Sequence, residues 1–394
     1  MLARPMDGYD SYLPAPGDLI ADTYRVEGVI GQGGMGVVLA ATHTGSNERV
    51  AIKFLLPAAS EYPDIVERFA REARAAMRIR GPHVARVSEV GTLDDGRAFM
   101  VMEHLQGCDL RAALQVHGAL PLEEAALHVL EALEAIAEAH AKGVVHRDLK
   151  PANLFLADQP DGSTHVKVLD FGISKLKDDG NALTKTFDVV GTPYYMAPEQ
   201  LTNAKNVDER ADIWSVGIIL YELLTAKRPF DGRSMAEIIS RVLGNRPTPP
   251  SEVRPELPKA IDAIVARCLA SDRDDRYEDV GELAEELAPF AGAAGAALAV
   301  RVVAARDRAN TERRPKAVRA ASAPAARSGA PSAAASPTVT TAAPAAPLAA
   351  PKPARSVAAA VSLLVLVLLV AAAAWFWNQK THTLAAPLPN PETR

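Results

Sequence analysis

The residues best suited to chemistry lie in one short stretch, HRDLKPAN, between the apolar segments GVV and LFL. Within six positions it offers a carboxylate on Asp148, an ammonium on Lys150 and an amide on Asn153. A second carboxylate, Asp170, follows the strand-like segment HVKVL in the sequence DFG. Polar groups that interrupt apolar segments in this way indicate a function rather than packing.

These four side chains meet the requirements of phosphoryl transfer from a nucleotide. That reaction depends on positioning and on neutralising the charge of the moving phosphoryl group. Asp148 can accept or orient the proton of an acceptor hydroxyl, and Lys150 can stabilise the γ-phosphate. Mg²⁺ prefers oxygen ligands, which Asn153 and Asp170 can supply.

A glycine-rich segment, GQGGMGVV at 31–38, provides a second feature suited to phosphates. Glycines let backbone N–H groups approach a phosphate without a side-chain clash. A plain hairpin and a dinucleotide fold are the alternatives, and the latter requires a helix directly after the glycines. The segment GVVLAATH has the composition of a strand, which argues against the dinucleotide fold.

Lys53, in the sequence AIK on the next expected strand, is a candidate phosphate-binding cation. Alternation along a strand places Ala51 and Lys53 on the same face. Lys53 needs a carboxylate partner, and the helix that follows offers Glu67 and Glu72. The alternative is that the charges of this helix form a solvated face.

The coarse pattern predicts a small, mostly β lobe followed by a larger, mostly α lobe. Alternating and β-branched segments predict strands, and apolar residues at helical spacing predict helices. The expected strands are 24–31, 36–43, 49–56, 87–93 and 98–104, and the expected helices include 63–79, 120–143 and 211–226. The cleft between two such lobes is the expected site.

Charge and cysteine content restrict the class of protein. Residues 1–290 contain 31 Lys and Arg against 45 Asp and Glu, and this acidic balance argues against nucleic-acid binding. Two cysteines, Cys108 and Cys268, are expected to be reduced thiols. The first 20 residues lack the apolar core of a signal peptide.

Residues 24–290 resemble the protein kinase domain, specifically the eukaryotic-like serine/threonine kinases of bacteria. The resemblance is carried by GQGGMGVV, AIK, HRDLKPAN, DFG, GTPYYMAPE at 191–199 and DIWSVG at 212–217, in this order. It implies an α+β, two-lobed kinase fold with a small β-rich N-lobe and a larger α-helical C-lobe. It also implies ATP and Mg²⁺ (or Mn²⁺) as cofactors, and protein substrates.

The resemblance assigns roles to individual residues. Asp148 would be the catalytic base, Lys150 would contact the γ-phosphate and indicate serine/threonine specificity, and Lys53 would grip the phosphates while paired with Glu72. Asn153 and Asp170 would bind the metal. The nucleotide-binding positions would be Ile30, Gly31, Gly33, Gly36, Val38, Ala51, Lys53, Met102, Glu103, Leu105, Asn153, Phe155 and Asp170.

Further positions carry structural or regulatory expectations from the same resemblance. Glu199 should pair with Arg276, and Asp212 should hydrogen-bond the backbone of the catalytic loop, while the side chains of His146 and Phe171 should pack rather than react. Thr192 should steady the catalytic loop. Thr184 and Thr186, between DFG and APE, match the activation-loop phosphosites of related kinases, which implies a second copy as a transient partner.

The segments around the expected kinase domain predict a membrane anchor. Residues 1–23 form an N-terminal extension, and the Ala/Pro-rich residues 291–356 have the composition of a disordered linker, although its first part could extend a helix. Residues 357–377 are uncharged and long enough to span a bilayer as a helix, leaving a short tail at 378–394 outside. We expect a single-pass inner-membrane protein with its kinase domain in the cytoplasm.

Two other functions compete with an active, membrane-tethered protein kinase. A pseudokinase scaffold would require the loss of Lys53, Asp148, Asn153 or Asp170, and all four are present. A small-molecule kinase of related fold would not need the GTPYYMAPE segment, which forms the peptide platform in protein kinases.

Overall fold

In the computed structural model, every described residue lies within the compact unit Met1–Pro324. The described residues are 13–32, 36–60, 62–171, 193–202, 206–244 and 246–321.

Within these residues nine strands form two antiparallel sheets. A six-stranded sheet has the order β1-β2-β3-β4-β6-β5, and a three-stranded sheet has the order β7-β8-β9. The strands are Leu19–Ile20 (β1), Tyr24–Gln32 (β2), Gly36–His43 (β3), Arg49–Leu55 (β4), Val87–Thr92 (β5), Ala98–Glu103 (β6), Gly107–Asp109 (β7), Leu154–Asp158 (β8) and Thr164–Val168 (β9). β1 lies in the expected N-terminal extension and pairs with β2, so the folded sheet begins earlier than residue 24.

The helices of the described residues lie mainly after the large sheet. They are Pro57–Ser60 (α1), Pro63–Ala76 (α2), Leu110–His117 (α3), Leu122–Ala141 (α4), Pro198–Thr202 (α5), Arg210–Thr225 (α6), Met235–Gly244 (α7), Pro250–Val253 (α8), Lys259–Cys268 (α9), Val280–Leu287 (α10) and Gly292–Ala321 (α11). The predicted order, a β-rich lobe and then a helical lobe, is confirmed.

Strand alternation gives the large sheet two different faces. Leu39 and Ile52 pair across β3 and β4, and both lie in an apolar core together with Phe54. Val38 and Lys53, the neighbouring pair in the register, therefore project from the opposite face. That face carries the nucleotide-binding candidates.

The core of the helical lobe is built around α4 and α6. Almost every residue of α6 is buried, as its continuous apolar sequence predicts. Trp214 on α6 is fully buried and stacks on Phe230, with the ring centroids 5.7 Å apart. Pro121 directly precedes α4, and Lys142 and Gly143 follow it, so both ends fall close to where the sequence predicts them.

Helix α11 extends the folded domain beyond the expected boundary at residue 290. Leu298, Val302 and Ala305 are buried and belong to the same core as α4 and α6. These residues recur at helical spacing within an Ala-rich segment, and α11 packs mainly against α4. The first part of the Ala/Pro-rich segment therefore extends the domain as a helix, as the sequence allowed, and this helix continues to Ala321.

No helix in the described part of the chain is both long and apolar enough to cross a membrane. The segment 357–377, for which a span is expected, lies outside the described residues, as do the adjoining segments 322–356 and 378–394.

Candidate active site

Asp212, near the start of α6, anchors the loop 146–153. Its buried carboxylate accepts hydrogen bonds from the backbone N–H groups of His146 and Arg147, both at 2.8 Å. The His140 imidazole, at the end of α4, places Nε2 2.7 Å from Asp212 Oδ2. Burial would raise the pKa of Asp212, but the hydrogen bond and charge of His140 hold that pKa below its usual range. The expected role of Asp212 is confirmed.

The side chains of Asp148, Lys150 and Asn153 converge at one point of this loop. Lys150 Nζ lies 2.7 Å from Asp148 Oδ2. Asn153 Nδ2 donates to the Asp148 carbonyl oxygen at 2.7 Å and approaches Asp148 Oδ2 at 3.3 Å. Asp148 and Lys150 each keep about a third of their side chain exposed, at 32% and 31%. A carboxylate and an ammonium are thus held together and remain accessible to substrates.

His146 packs beneath this loop and does not face the cleft. It is fully buried, its Nε2 donates to the Leu169 carbonyl oxygen at 2.9 Å, and its Nδ1 accepts from the Asp148 N–H at 3.3 Å, with the tautomer assigned from these partners. Its ring lies 5.0 Å from the ring of Phe171. His146 and Phe171 therefore pack, as the sequence predicts.

Two residues of the site have left-handed backbone conformations, which are uncommon outside glycine. Arg147 has φ of 65° and Asp170 has φ of 57°. Such conformations cost free energy and persist only where surrounding contacts enforce them. Arg147 directly precedes Asp148, and its backbone N–H donates to Asp212. The contact that stabilises the backbone conformation of Arg147 therefore also helps to orient Asp148.

The Lys53 ammonium forms an ion pair with Asp170, not with Glu72. Lys53 Nζ lies 2.7 Å from Asp170 Oδ1, with side chains 13% and 29% exposed. Burial would raise the pKa of Asp170, but the charge and hydrogen bond of Lys53 hold it below its usual range. Glu72 lies on α2 with 7% exposure, and the ion pairs between described residues do not include Lys53 with Glu72. Among the described residues, the carboxylate paired with Lys53 is therefore that of Asp170, and the expected Lys53–Glu72 pair is not formed.

Several nucleotide-binding candidates lie on the same face of the large sheet as Lys53. Val38 lies opposite Lys53, and Ala51 lies opposite Met102, so these four side chains project from one face. Gly36 lies opposite Leu55, and a Cβ at position 36 would collide with the carbonyl oxygen of Phe54. Glycine is required there because β3 and β4 approach too closely for a side chain.

The comparison with known proteins identifies the domain. The protein kinase domain family matches residues 24–287, about two thirds of the chain. The chain belongs to the protein kinase family. Its fold also matches the crystal structure of the Mycobacterium tuberculosis PknI kinase domain, with a TM-score of 0.57 and 29% identity over 71% of this chain and 100% of that chain.

Curated bacterial kinases resemble this kinase domain in sequence. The Myxococcus xanthus serine/threonine-protein kinase pkn3 is 38% identical over 265 residues, which cover 66% of this chain and 48% of that protein. A probable serine/threonine-protein kinase PknB of Corynebacterium glutamicum is 37% identical over 277 residues, covering 68% of this chain and 42% of that protein. The match thus spans about half or less of these relatives.

The remaining nucleotide candidates of the kinase domain lie where β2, β6 and β8 border the cleft. Gly31 pairs with Val38, and the preceding Ile30 is 52% exposed. Glu103 ends β6, and Leu105 follows it in the segment between the lobes. Phe155 lies on β8, opposite Lys167.

An ion pair that sequence reasoning missed borders the same segment of the kinase domain. Lys167 Nζ donates to Glu103 Oε1 at 2.9 Å and to Oε2 at 3.1 Å, and so links β9 to the end of β6. The sequence could have predicted the position of Lys167, because Val166 and Val168 are apolar and strand alternation places Lys167 on the opposite face of β9. His140 was also missed, although a histidine four residues after Ile136 on an apolar helix face indicates a buried polar partner.

Arg276 and Glu199 close the helical lobe of the kinase domain as expected. Arg276 Nη1 and Nη2 donate to the two carboxylate oxygens of Glu199 at 2.8 and 2.9 Å, and the Arg276 side chain is fully buried. This bidentate pair fixes α5, whose first two residues, Pro198 and Glu199, are the last two of the peptide-platform segment. Of the remaining expected residues, Gly33, Thr184, Thr186 and Thr192 lie outside the described residues.

Proposed function

We propose that this chain is a serine/threonine protein kinase that transfers the γ-phosphate of ATP to hydroxyl groups of proteins. The observation that carries the proposal is the convergence of Asp148, Lys150 and Asn153 within hydrogen-bond distance. Lys53 and Asp170 lie together, with Nζ and Oδ1 2.7 Å apart. The serine/threonine kinase names of the relatives support the acceptor class.

The surroundings of each side chain are consistent with a specific role in phosphoryl transfer. Asp148 accepts or orients the proton of the acceptor hydroxyl, since its carboxylate is held by Lys150 and remains partly exposed. Lys150 lies beside the same carboxylate and stabilises the charge of the moving phosphoryl group. Lys53 binds the phosphates from the sheet above, and Val38 and Ala51 provide an apolar surface for the adenine.

The donor set of this cleft fits a divalent metal. Asn153 contacts Asp148 only through its amide nitrogen Nδ2, so neither of these contacts occupies its amide oxygen Oδ1. The low pKa of Asp170 keeps its carboxylate ionised near neutral pH. Asn153 and Asp170 would hold Mg²⁺ or Mn²⁺, which neutralises phosphate charge when bound.

Phosphate transfer in the purified full-length chain tests this proposal. With radiolabelled ATP and Mg²⁺, label should appear on a protein substrate and on the chain itself, and phosphoamino-acid analysis should find phosphoserine and phosphothreonine. EDTA should abolish the labelling, because Asn153 and Asp170 then have no ion to hold. Label confined to phosphotyrosine, or to a small-molecule acceptor, would contradict the proposal. No observation favours the alternative of a catalytically inactive scaffold.

We further propose that the kinase is anchored in the inner membrane by residues 357–377, with the kinase domain in the cytoplasm, where ATP is available. The support is the length and lack of charge of this segment. Flanking charges do not set the orientation, because Lys352 and Arg355 lie before the segment and Lys380 and Arg394 lie after it.

Fractionation tests the anchor. The full chain should sediment with membranes, whereas a chain that ends at residue 350 should remain in the supernatant. Protease added to intact spheroplasts should spare the kinase domain. Digestion of that domain would show that the orientation is wrong.

A further inference from the structure

A cavity of about 200 Å³ lies between α4, α11 and the loop that connects α2 to β5. Arg80 and His83 line it from the loop, Glu134 and Glu138 from α4, and Arg301 and Arg308 from α11. None of these residues belongs to the active site described above. Because α11 lies beyond the matched residues 24–287, one wall of the cavity is not supplied by the kinase domain common to the family.

Cations outnumber anions around this cavity. Arg301 Nε lies 2.9 Å from Glu134 Oε2, and an Arg308 Nη2 lies 3.5 Å from Glu138 Oε2. Lys142 Nζ lies 3.9 Å from the same Glu138 carboxylate. Arg80 is exposed and forms no ion pair or side-chain hydrogen bond with the described residues. Among the residues that line the cavity, three arginines face two carboxylates, so one positive charge is left that no carboxylate of the cavity compensates.

His83 adds a buried polar group to the cavity wall. Its side chain is 5% exposed, and Nδ1 donates to the Val166 carbonyl oxygen at 2.8 Å. That bond fixes the ring and turns Nε2 toward Glu134, 3.7 Å from Oε2.

We propose that this cavity binds a phosphate dianion, either free or as the monoester group of a small molecule. The negative charge of a phosphate matches the excess of positive charge on the cavity wall. Arginine guanidinium groups present paired N–H donors that fit phosphate oxygens. The volume is below the roughly 300–1,000 Å³ of pockets for drug-sized ligands, so a small ligand suits it. Alanines at positions 135, 304 and 305 leave the centre of the cavity open.

A phosphate in this position would connect α11 to the loop that follows α2. Arg80 would contribute from the loop, and Arg308 would contribute from α11. Helix α2 carries Glu72, so the ligand would bind at the base of the helix that supplies the expected partner of Lys53.

Calorimetric titration of the full-length chain tests the proposal, with inorganic phosphate and glycerol 3-phosphate as probes. A non-hydrolysable ATP analogue and Mg²⁺ occupy the nucleotide cleft during the titration. We expect saturable binding of one phosphate per chain, weakened about tenfold by Arg80→Gln and further by Arg80→Gln combined with Arg308→Gln. Binding of both probes identifies a monoester site, and binding of inorganic phosphate alone identifies a site for the free ion.

Arg111→Gln is the matched control, because Arg111 is an exposed arginine on α3 outside the cavity. It should leave phosphate binding unchanged. Arg80→Gln should not alter folding, since Arg80 is exposed, and equal melting temperatures without phosphate check this point. Unchanged binding in Arg80→Gln, an equal loss in Arg111→Gln, or no saturable binding in the parent chain would each overturn the proposal.

Discussion

The Lys53 ammonium nitrogen lies 2.7 Å from Asp170 Oδ1, so the phosphate-binding cation is paired with the carboxylate expected to hold the metal. The pair joins β4 of the large sheet to Asp170, which lies two residues after β9. When a nucleotide and its metal bind, each partner gains a new counter-charge: phosphate for Lys53 and the cation for Asp170. The ion pair thus keeps both side chains at the cleft before the nucleotide enters.

Replacing Lys53 by Met should abolish phosphate transfer without unfolding the chain. The substitution removes the cation that binds the phosphates, and the partly exposed Asp170 can be solvated. We expect a loss of about 100-fold or more in kcat/KM for a protein substrate. Lys259→Met, at a lysine whose side chain is 81% exposed, is the control and should retain full activity. Equal activity in the two variants would contradict the role of Lys53.

Replacing Asp212 by Asn should destabilise the domain in a pH-dependent way. The pKa of Asp212 is lowered in the folded state, so its stabilising contribution is present above the unfolded value of about 3.9 and is lost as pH falls through the folded value. Asp212→Asn should reduce the free energy of unfolding by about 3 kcal/mol at pH 7. The difference between the two chains should shrink below about pH 4.

Urea unfolding at a series of pH values measures this effect. Asp94→Asn changes an exposed carboxylate and should alter the free energy of unfolding by less than about 0.5 kcal/mol. If the difference between Asp212→Asn and the parent chain did not depend on pH, Asp212 would not be an ionised anchor of the catalytic loop.

Helix α11 should contribute to the stability of the whole domain. Val302 is fully buried, whereas Val300 on the same helix is 68% exposed. Val302→Ala should lower the free energy of unfolding by about 2 kcal/mol, because buried methyl groups are lost and a cavity remains. Val300→Ala is the matched control, with an expected change below about 0.5 kcal/mol. Equal effects of the two substitutions in urea unfolding would show that α11 does not pack as described.

Substitution of Thr184 and Thr186 tests the proposed regulation by the activation loop. A phosphothreonine adds about −1.5 to −2 charges, which can pair with Arg147 of the catalytic loop and order the peptide platform. An Asp148→Asn chain should therefore be phosphorylated at these positions by an active chain. The double Ala variant should lose activity toward an external substrate by severalfold or more. Full activity in that variant would exclude this form of regulation and leave the catalytic assignment intact.

The sequence predicts local elements well and some pairings poorly. Strand alternation placed Lys53 correctly on the face of Ala51, because a period of two is a property of the backbone. Its partner could not be predicted in the same way. Glu72 and Asp170 lie on different elements, and which carboxylate is closer depends on how α2 and β9 pack against β4. Which carboxylate pairs with Lys53 therefore depends on tertiary packing, and a local sequence pattern does not predict it.

Helix α11 is a second feature that the sequence predicts only in part. The Ala-rich composition after residue 290 predicted a disordered linker whose first part could extend a helix, and it did not show how far that helix continues. Leu298 and Val302 are buried in the same core as residues of α4, whereas Val300 on the same helix is 68% exposed. In contrast, Asp212 and the Glu199–Arg276 pair were predicted correctly from the resemblance, because the motifs that contain them define the whole geometry around them.

Measurement of phosphate transfer by Asp148→Asn is the most direct test of the proposed function. The variant keeps the size of the side chain and an oxygen that can accept from Lys150, but it loses the carboxylate that accepts the hydroxyl proton. We predict that kcat for a protein substrate falls by about 10²- to 10⁴-fold while the affinity for ATP is retained. The control, Asp161→Asn, changes an exposed carboxylate in the turn between β8 and β9 and should leave kcat unchanged. Undiminished transfer by Asp148→Asn would contradict the assignment of the active site.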